Sequence, residues 1–531
     1  MRAVSKKRIE AVTKVSGASM RVEELLASAE ESLVRGDFVR AIGQAQEAVQ
    51  RAPDNAKAWR LLGAAMSAVG RRTEAVAALE RAVAISPGDA IIQNSLGAAL
   101  VAEGQRARAI DAFEQATQLA PDLIQAWQNL ATLLAVENRP EESLVAIDHA
   151  LERAPRVFAA RIHRGAMLLA LGREDESNAE YREVLREQPA AVGAWLGLAG
   201  LKSQHFSSED VEQLQRLRRD TALHERDCYA LGFVLAQALD DHGRYADAFA
   251  VLDEANAGVR RILPWDAATA SKEVGAILAA FEVPAPAASS QVGSEVIFIA
   301  SLPRAGSTLV EQILASHAQV EGAGELDDLE AVIEAESRRR GSAFATWAPR
   351  ISDADWCRLG KDYLARTARW RERKPWFTDK SLANWRYVGA VRRMLPGARI
   401  VLCSRDPLET ALSCYRQNFG GAAQAWSYDV ASIVAYMHDF DRASRHWLLQ
   451  YPQAMRLQAY ESLVAQPERE IRALLEFCGL SFDAACLQFH KTRRAINTLS
   501  ASQVRTPIRS NTARAARYGT SLDALRAALR E

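Results

Sequence analysis

The sequence predicts an α-solenoid of paired helices in its first half, joined to an α/β domain whose mainly parallel sheet is flanked by helices. Three observations carry this expectation. A 34-residue period runs through roughly the first two hundred residues, a short segment rich in Pro, Ala, Ser and Gly follows, and beyond it apolar β-branched runs meet turns and then helices. With 531 residues, 49% of them apolar and 25% charged, the chain can bury two or three cores of ordinary domain size.

The repeats come first. Prolines 53, 87, 121, 155 and 189 stand 34 residues apart, each closing a helical segment such as EAVAALERAVAISP. Gly36, Gly70, Gly104, Asn138 and Gly172 form a second series, placed for the tight turn between two antiparallel helices. Gly63, Gly97, Ala131, Gly165 and Ala199 form a third, putting a small residue where helices cross. Apolar residues at helical spacing, as in Leu96, Ala99 and Leu100, give each unit one face that stacking must bury. These units resemble tetratricopeptide repeats. They cover residues 20–200 after an N-terminal tail or cap at 1–19. A further helical or degenerate repeat segment, 201–282, contains DCYALGFVLAQALDDHGRYADAFAVLDEAN with its own turn glycine, Gly243. The resemblance implies a peptide or protein partner for the array. Trp59, Trp127 and Trp195, at equivalent places in alternate repeats, are expected mainly in the inter-helix core, with peptide anchoring as the other reading.

The segment VPAPAASSQVG, 283–293, reads as a linker, and residues 294–531 as the second domain. That domain opens with EVIFIASLPRAGSTLVEQILASH: a strand, a small-residue loop and a helix starting near Thr308. The N–H groups of Gly306, Ser307 and Thr308 at a helix's positive end suit one phosphate or sulfate. The loop has no Lys before its Ser, unlike a nucleoside triphosphatase loop, so its ligand alternatives are a phosphosulfate, another phosphate, or none. A second unit, GARIVLCSRDPLETALSCYRQNF, ends a strand at Arg405 and sets Ser413 two turns along the next helix. An Arg at a strand edge and a hydroxyl on the following helix can grip a terminal phosphate together. Arg416 is a further contact or a solvated charge.

Together the two segments resemble the sulfotransferase family, in particular protein-tyrosine sulfotransferases and the bacterial proteins that join tetratricopeptide repeats to such a domain, over residues 294–518. The resemblance implies a P-loop-like fold and 3'-phosphoadenosine 5'-phosphosulfate as donor, with no metal required. Carried over by position, Arg304, Ala305, Gly306, Ser307 and Thr308 hold the 5'-phosphosulfate, and Arg405 and Ser413 the 3'-phosphate. Glu325, in QVEGAGELDDLEAV, resembles the general base, against its plainer reading as a carboxylate leading into a helix; Asp327 and Asp328 read as first-turn charges. Lys380, at the end of a short aromatic strand, resembles the Lys that meets the bridging oxygen, and Arg304 adds charge to the sulfate. Ser381 and Leu382 replace the family's usual Met-Pro after this Lys. ASQVRTPIRSNTARAARYG, 501–519, resembles the late loop over the nucleotide, with Arg505, Arg509, Arg514 and Arg517 as donor contacts or solvated charges. His317 is expected to be structural.

The balance of 66 basic and 66 acidic residues gives no electrostatic case for nucleic acid. Six sparse cysteines suit neither a disulfide scaffold nor a zinc site, the first twenty residues contain no apolar run of signal-peptide length, and no stretch of eighteen mostly apolar, charge-free residues occurs in the sequence. A cytoplasmic enzyme without a membrane span is the expectation, its oligomeric state open. The acceptor hydroxyl is expected on a peptide or protein tyrosine. The competing classes are a P-loop phosphotransferase using ATP and a peptide-binding scaffold with an inactive α/β domain.

Overall fold

The computed structural model describes residues 21–201, 205–220, 222–284, 290–496, 498, 501–508 and 513–530. The expected tail at 1–19, Arg509 and part of the 283–293 segment lie outside them. The chain forms two compact units, residues 1–167 and 168–531.

The first unit is built of helix pairs. Helix 21–34 is followed by Phe38–Arg51, then Ala56–Ala68 with Arg72–Ile85, Ala90–Glu103 with Arg106–Leu119, and Ile124–Val136 with Pro140–Arg153. The turns between partners use a left-handed residue: φ is +77° at Gly36, +78° at Gly70, +85° at Gly104 and +57° at Asn138. Asparagine tolerates this conformation better than other residues with a Cβ, which is why it stands in for glycine once. At the crossings a methyl has no room: a Cβ on Gly63 would lie 2.6 Å from Leu79 Cγ, and one on Gly97 2.5 Å from the Phe113 ring. In alternate repeats a tryptophan ties the helix to its own entry turn. The indole N–H of Trp59 donates to the Pro53 carbonyl at 2.8 Å, and that of Trp127 to Pro121 at 2.9 Å.

In the second unit, helix pairing continues. Gly172, at φ +78°, precedes Glu174–Glu187, and Trp195, in Val192–Gly200, repeats the staple to Pro189 at 2.9 Å. Ser208–Leu217 leads to the long pair Glu225–Asp241 and Tyr245–Ile262, joined at Gly243 with φ +73°. Helix Ala267–Ala280 ends at Phe281, whose ring packs against Phe344, Trp356 and Trp447. Residues on both sides of the 283–293 segment therefore share one core.

That core surrounds a five-stranded, all-parallel sheet of order β2-β3-β1-β4-β5, with β1 Val296–Ser301, β2 Val320–Gly322, β3 Trp376–Asp379, β4 Arg399–Ser404 and β5 Met455–Ala459. β1 is buried along its whole length, as a central parallel strand covered on both faces must be. Ile297 and Ile299 face Val310, Ile313 and Leu314 of helix Ser307–Ala315, while Phe298 meets Tyr363 on the other side. The chain leaves β1 toward β2 and leaves β4 toward β5, in opposite directions. Such a switch point opens a crevice at the carboxyl ends of the two strands. Among the described residues no helix is long and apolar enough to cross a membrane.

Candidate active site

The loop after β1 enters the crevice with two left-handed residues, Arg304 at φ +68° and Gly306 at φ +95°. A non-glycine residue there costs about 1 kcal/mol, which the surrounding contacts must hold. Gly306 is the N-cap of helix Ser307–Ala315, and no side chain caps that end. Its first N–H groups thus lack partners within the helix. Tyr460, after β5, closes over the glycine: a Cβ there would stand 2.9 Å from Tyr460 Cδ2.

The loop after β4 meets the first one. Arg405 donates from NH1 to the Arg304 carbonyl at 3.3 Å, and its guanidinium lies 4.9 Å from the centre of the Tyr460 ring. Arg304 in turn donates from Nε to Ser413 Oγ at 3.0 Å and from NH2 to Gln503 at 3.3 Å. Asp406 caps the helix Pro407–Tyr415 by accepting from the Glu409 N–H at 2.9 Å, which fixes the turn between Arg405 and Ser413.

These contacts line a cavity of about 740 Å³. Arg304, Gly306, Ser307 and Thr308 reach it from the first loop, and Arg405, Ser413 and Arg416 from the second. Arg505, Arg514 and Arg517 arrive from the late segment. Ala305 is buried behind the loop with its N–H on the Leu302 carbonyl at 3.4 Å and does not line the cavity. Burial, and then the charges of Arg405, Arg416 and Arg514, push Arg304 down to about 10, with nearby Cys414 acting the other way. Several guanidiniums held together under partial burial repel one another, and an anion relieves that repulsion. Glu174, Asp175, Asp241 and Glu409 also line the cavity, and against them the six arginines, the loop geometry and the helix end give it features that suit an anion. Arg514 and Arg517 both face it, and the backbone at Arg514 is tied to the second loop's helix: Glu409 accepts from the N–H groups of Arg514 and Ala515, each at 2.8 Å.

Glu325 and Lys380 form a separate pair on the same edge of the sheet. Lys380, 1% exposed, donates from Nζ to Glu325 Oε1 at 2.7 Å, and its N–H bonds the Gly324 carbonyl at 3.0 Å. By register Asp379 is level with Phe298, so Lys380 stands beside β1 two residues before its end. Neither residue lines the cavity. Glu325 lies ahead of helix Asp328–Arg340 and outside it; Asp327 is the N-cap and Asp328 a first-turn charge. Asp379 is wholly buried, and burial raises it to about 6 although it accepts from Tyr363, Asn384 and the Ser381 N–H. After Lys380, Ser381 leads into a short 3-10 helix, Leu382–Arg386.

Sequence reasoning missed the group that ties the pair to the anion loop. Glu311, on helix Ser307–Ala315 and 1% exposed, accepts from the Gly324 N–H at 2.8 Å and from Thr378 Oγ1 at 2.9 Å, and pairs with Arg494 at 2.9 Å. Burial pushes its carboxyl up, but Arg494 and Lys380 outweigh this and hold it below the usual range. The available signal was a Glu-Gln pair inside an otherwise apolar helix segment. His317 is buried; Nδ1 accepts from the Gln319 N–H, leaving Nε2 to donate to the Ser481 carbonyl at 3.0 Å, a structural arrangement.

Comparison with known proteins agrees with this architecture. A model of the sulfotransferase family matches residues 296–484, and two tetratricopeptide-repeat models match residues 33–99 and 90–123. The chain thus contains a tetratricopeptide-repeat region and a sulfotransferase-family domain. A protein of Aquifex aeolicus (strain VF5), described as uncharacterized, is 30% identical over 352 residues, which are 63% of this chain and 45% of the relative. The chain therefore spans less than half of that relative. Solved structures match it in part. A thermophilic TPR protein of Thermus thermophilus is 18% identical, covering 34% of this chain and 100% of its own with a TM-score of 0.29. Pseudomonas aeruginosa pilF is 15% identical, covering 47% and 95% with a TM-score of 0.31.

Proposed function

We propose that the chain is a sulfotransferase that moves a sulfuryl group from 3'-phosphoadenosine 5'-phosphosulfate to an acceptor hydroxyl, with residues 294–531 as its catalytic domain, 20–200 as the repeat array and 201–282 as the segment between them. The observation that carries this reading is the junction of two anion loops at one switch point, where Arg405 reaches the Arg304 carbonyl and Arg304 reaches Ser413. A donor with a phosphosulfate at one end and a phosphate at the other needs two such grips side by side. Gly306, Ser307 and Thr308 take the 5' end, Arg405 and Ser413 the 3' end, and Arg505, Arg514 and Arg517 cover the nucleotide.

In the reaction the acceptor oxygen forms a bond to sulfur as the bond from sulfur to the bridging oxygen breaks, leaving 3'-phosphoadenosine 5'-phosphate. Glu325 receives the acceptor proton, and Lys380 and Arg304 meet the charge that develops on the bridging oxygen and the sulfuryl group. A carboxylate is a weak base toward a phenol, so proton transfer is concerted with attack. Glu311 holds the Gly324 N–H on one side of this pair and the Thr378 hydroxyl on the other. We further propose a peptide or protein tyrosine as acceptor. A repeat array joined to a catalytic domain gives a second point of attachment, which raises the acceptor's effective concentration.

Transfer of labelled sulfate to tyrosine-containing peptides, with chelator present, tests the reading. Wild-type chain is expected to transfer label, and Glu325→Gln to lose about 10²–10⁴-fold in kcat while binding the nucleotide product as before. Phosphoryl transfer from ATP and magnesium, with no sulfuryl transfer to any hydroxyl offered, would replace this reading with the phosphotransferase.

A further inference from the structure

Asp240 sits in the last turn of helix Glu225–Asp241, outside the segment matched by the sulfotransferase family model. The residue is 8% exposed, and its carboxylate has three partners. Oδ2 accepts from Arg416 NH2 at 2.6 Å and from Arg514 NH1 at 3.2 Å, and Oδ1 accepts from the Tyr518 hydroxyl at 3.0 Å. Arg416 follows the helix that carries Ser413, and Arg514 and Tyr518 belong to the late segment, so one carboxylate joins two walls of the cavity. Gln237 and Asp241, on the same turn of helix, line the cavity beside it.

The neighbouring helix, Tyr245–Ile262, locks this arrangement. Asn256 donates to the Tyr415 carbonyl at 3.0 Å, the Tyr415 hydroxyl donates to Asp253, and the Phe249 ring packs against Tyr415 and Tyr518. A buried carboxylate is stable when charged donors surround it, and the converse matters more here. Without Asp240, Arg416 and Arg514 would lose the carboxylate they share and repel each other and Arg304 more strongly, and long side chains in that position turn toward water. Each guanidinium has five N–H donors, so its bond to Asp240 fixes direction while leaving others for a phosphate.

We propose that Asp240 is a positioning residue for the 3'-phosphate end of the donor: it aims Arg416 and Arg514 into the cavity, making the helix pair 225–262 a part of the nucleotide site. The proposal rests on reading the cavity as the nucleotide-sulfate site. It assigns to a repeat-like hairpin a role in donor recognition rather than in holding a partner.

Calorimetric binding of 3'-phosphoadenosine 5'-phosphate and of adenosine 5'-monophosphate to the full chain and to Asp240→Asn separates the possibilities. The variant is expected to lose about tenfold in affinity for the 3'-phosphorylated nucleotide and little for the other, so their affinity ratio shrinks about tenfold. Mere removal of a negative charge would tighten both ligands, and mere structural damage would weaken both alike; either result, or an unchanged ratio, overturns the positioning role. If Asp240→Asn does not fold, Asp240→Glu keeps the charge on a longer arm, and the same shrinking ratio is expected. Failure of the wild-type chain to bind the 3'-phosphorylated nucleotide would instead remove the reading on which the proposal rests.

Discussion

Gly306 is constrained twice, by φ of +95° and by Tyr460 at 2.9 Å from where a Cβ would stand. Gly306→Ala is therefore expected to cost about 1–2 kcal/mol in denaturant unfolding and to abolish tight nucleotide binding, because the loop must move off Tyr460 to admit the methyl. The turn itself was legible in the sequence as a small-residue loop between a β-branched run and an amphipathic helix, while its ligand was left open between a phosphosulfate, another phosphate and none. Glu325 and Lys380 were singled out by resemblance, and what could not be foreseen was their direct bond at 2.7 Å. Glu311 escaped for a physical reason. A buried carboxylate is defined by the partners that tertiary structure brings, and Gly324, Thr378 and Arg494 lie 13, 67 and 183 residues away.

At the scale of elements, strands β1 and β4 and the helices after them fall where the apolar runs and turn residues put them. The helix expected near Thr308 begins one residue earlier, at Ser307, and the strand expected to end at Arg405 ends at Ser404. The late segment was less legible because its short 3-10 turns, Gln503–Arg505 and Ala515–Leu522, have no long period to detect. Helix Asp328–Arg340 shows how charge fixes an element. Glu336, 2% exposed, accepts from Arg339, Arg340 and Arg358, and its carboxyl is held down at about 2, first by the Arg339 bond, against the opposing effect of burial. A carboxyl depressed on folding stabilises fully above its unfolded pKa and loses that contribution as pH falls through its folded pKa. Glu336→Gln is expected to be less stable than wild type by about 1–3 kcal/mol at pH 7, after allowance for the exposed arginines, with the gap narrowing between about pH 4.5 and 2. Urea unfolding of both chains across that range checks the sign.

For the whole molecule, the 34-residue period predicted the helix pairs and the residues at their turns, because five prolines and their matching turn residues share one spacing. Trp195 is buried in the core as expected, whereas Trp59 and Trp127 are only half-buried, and what all three share is the bond to their own repeat's proline carbonyl. Trp127→Phe removes the bond to the Pro121 carbonyl and is expected to cost about 1 kcal/mol of stability while leaving nucleotide affinity within about twofold, as thermal unfolding and calorimetry would register. Period alone could not reveal that the last hairpin and the late segment share Asp240, since that contact joins residues 240, 416, 514 and 518.

On the function proposed above, the two loops that meet at the switch point form one nucleotide site. The most direct test of this claim is calorimetric binding of 3'-phosphoadenosine 5'-phosphate, without metal, to the intact chain and to Arg405→Ala. Tight metal-independent binding, weakened at least about tenfold in the variant as loss of a charged phosphate contact requires, is the predicted result. A folded wild-type chain that does not bind, or a variant that binds equally well, would contradict it.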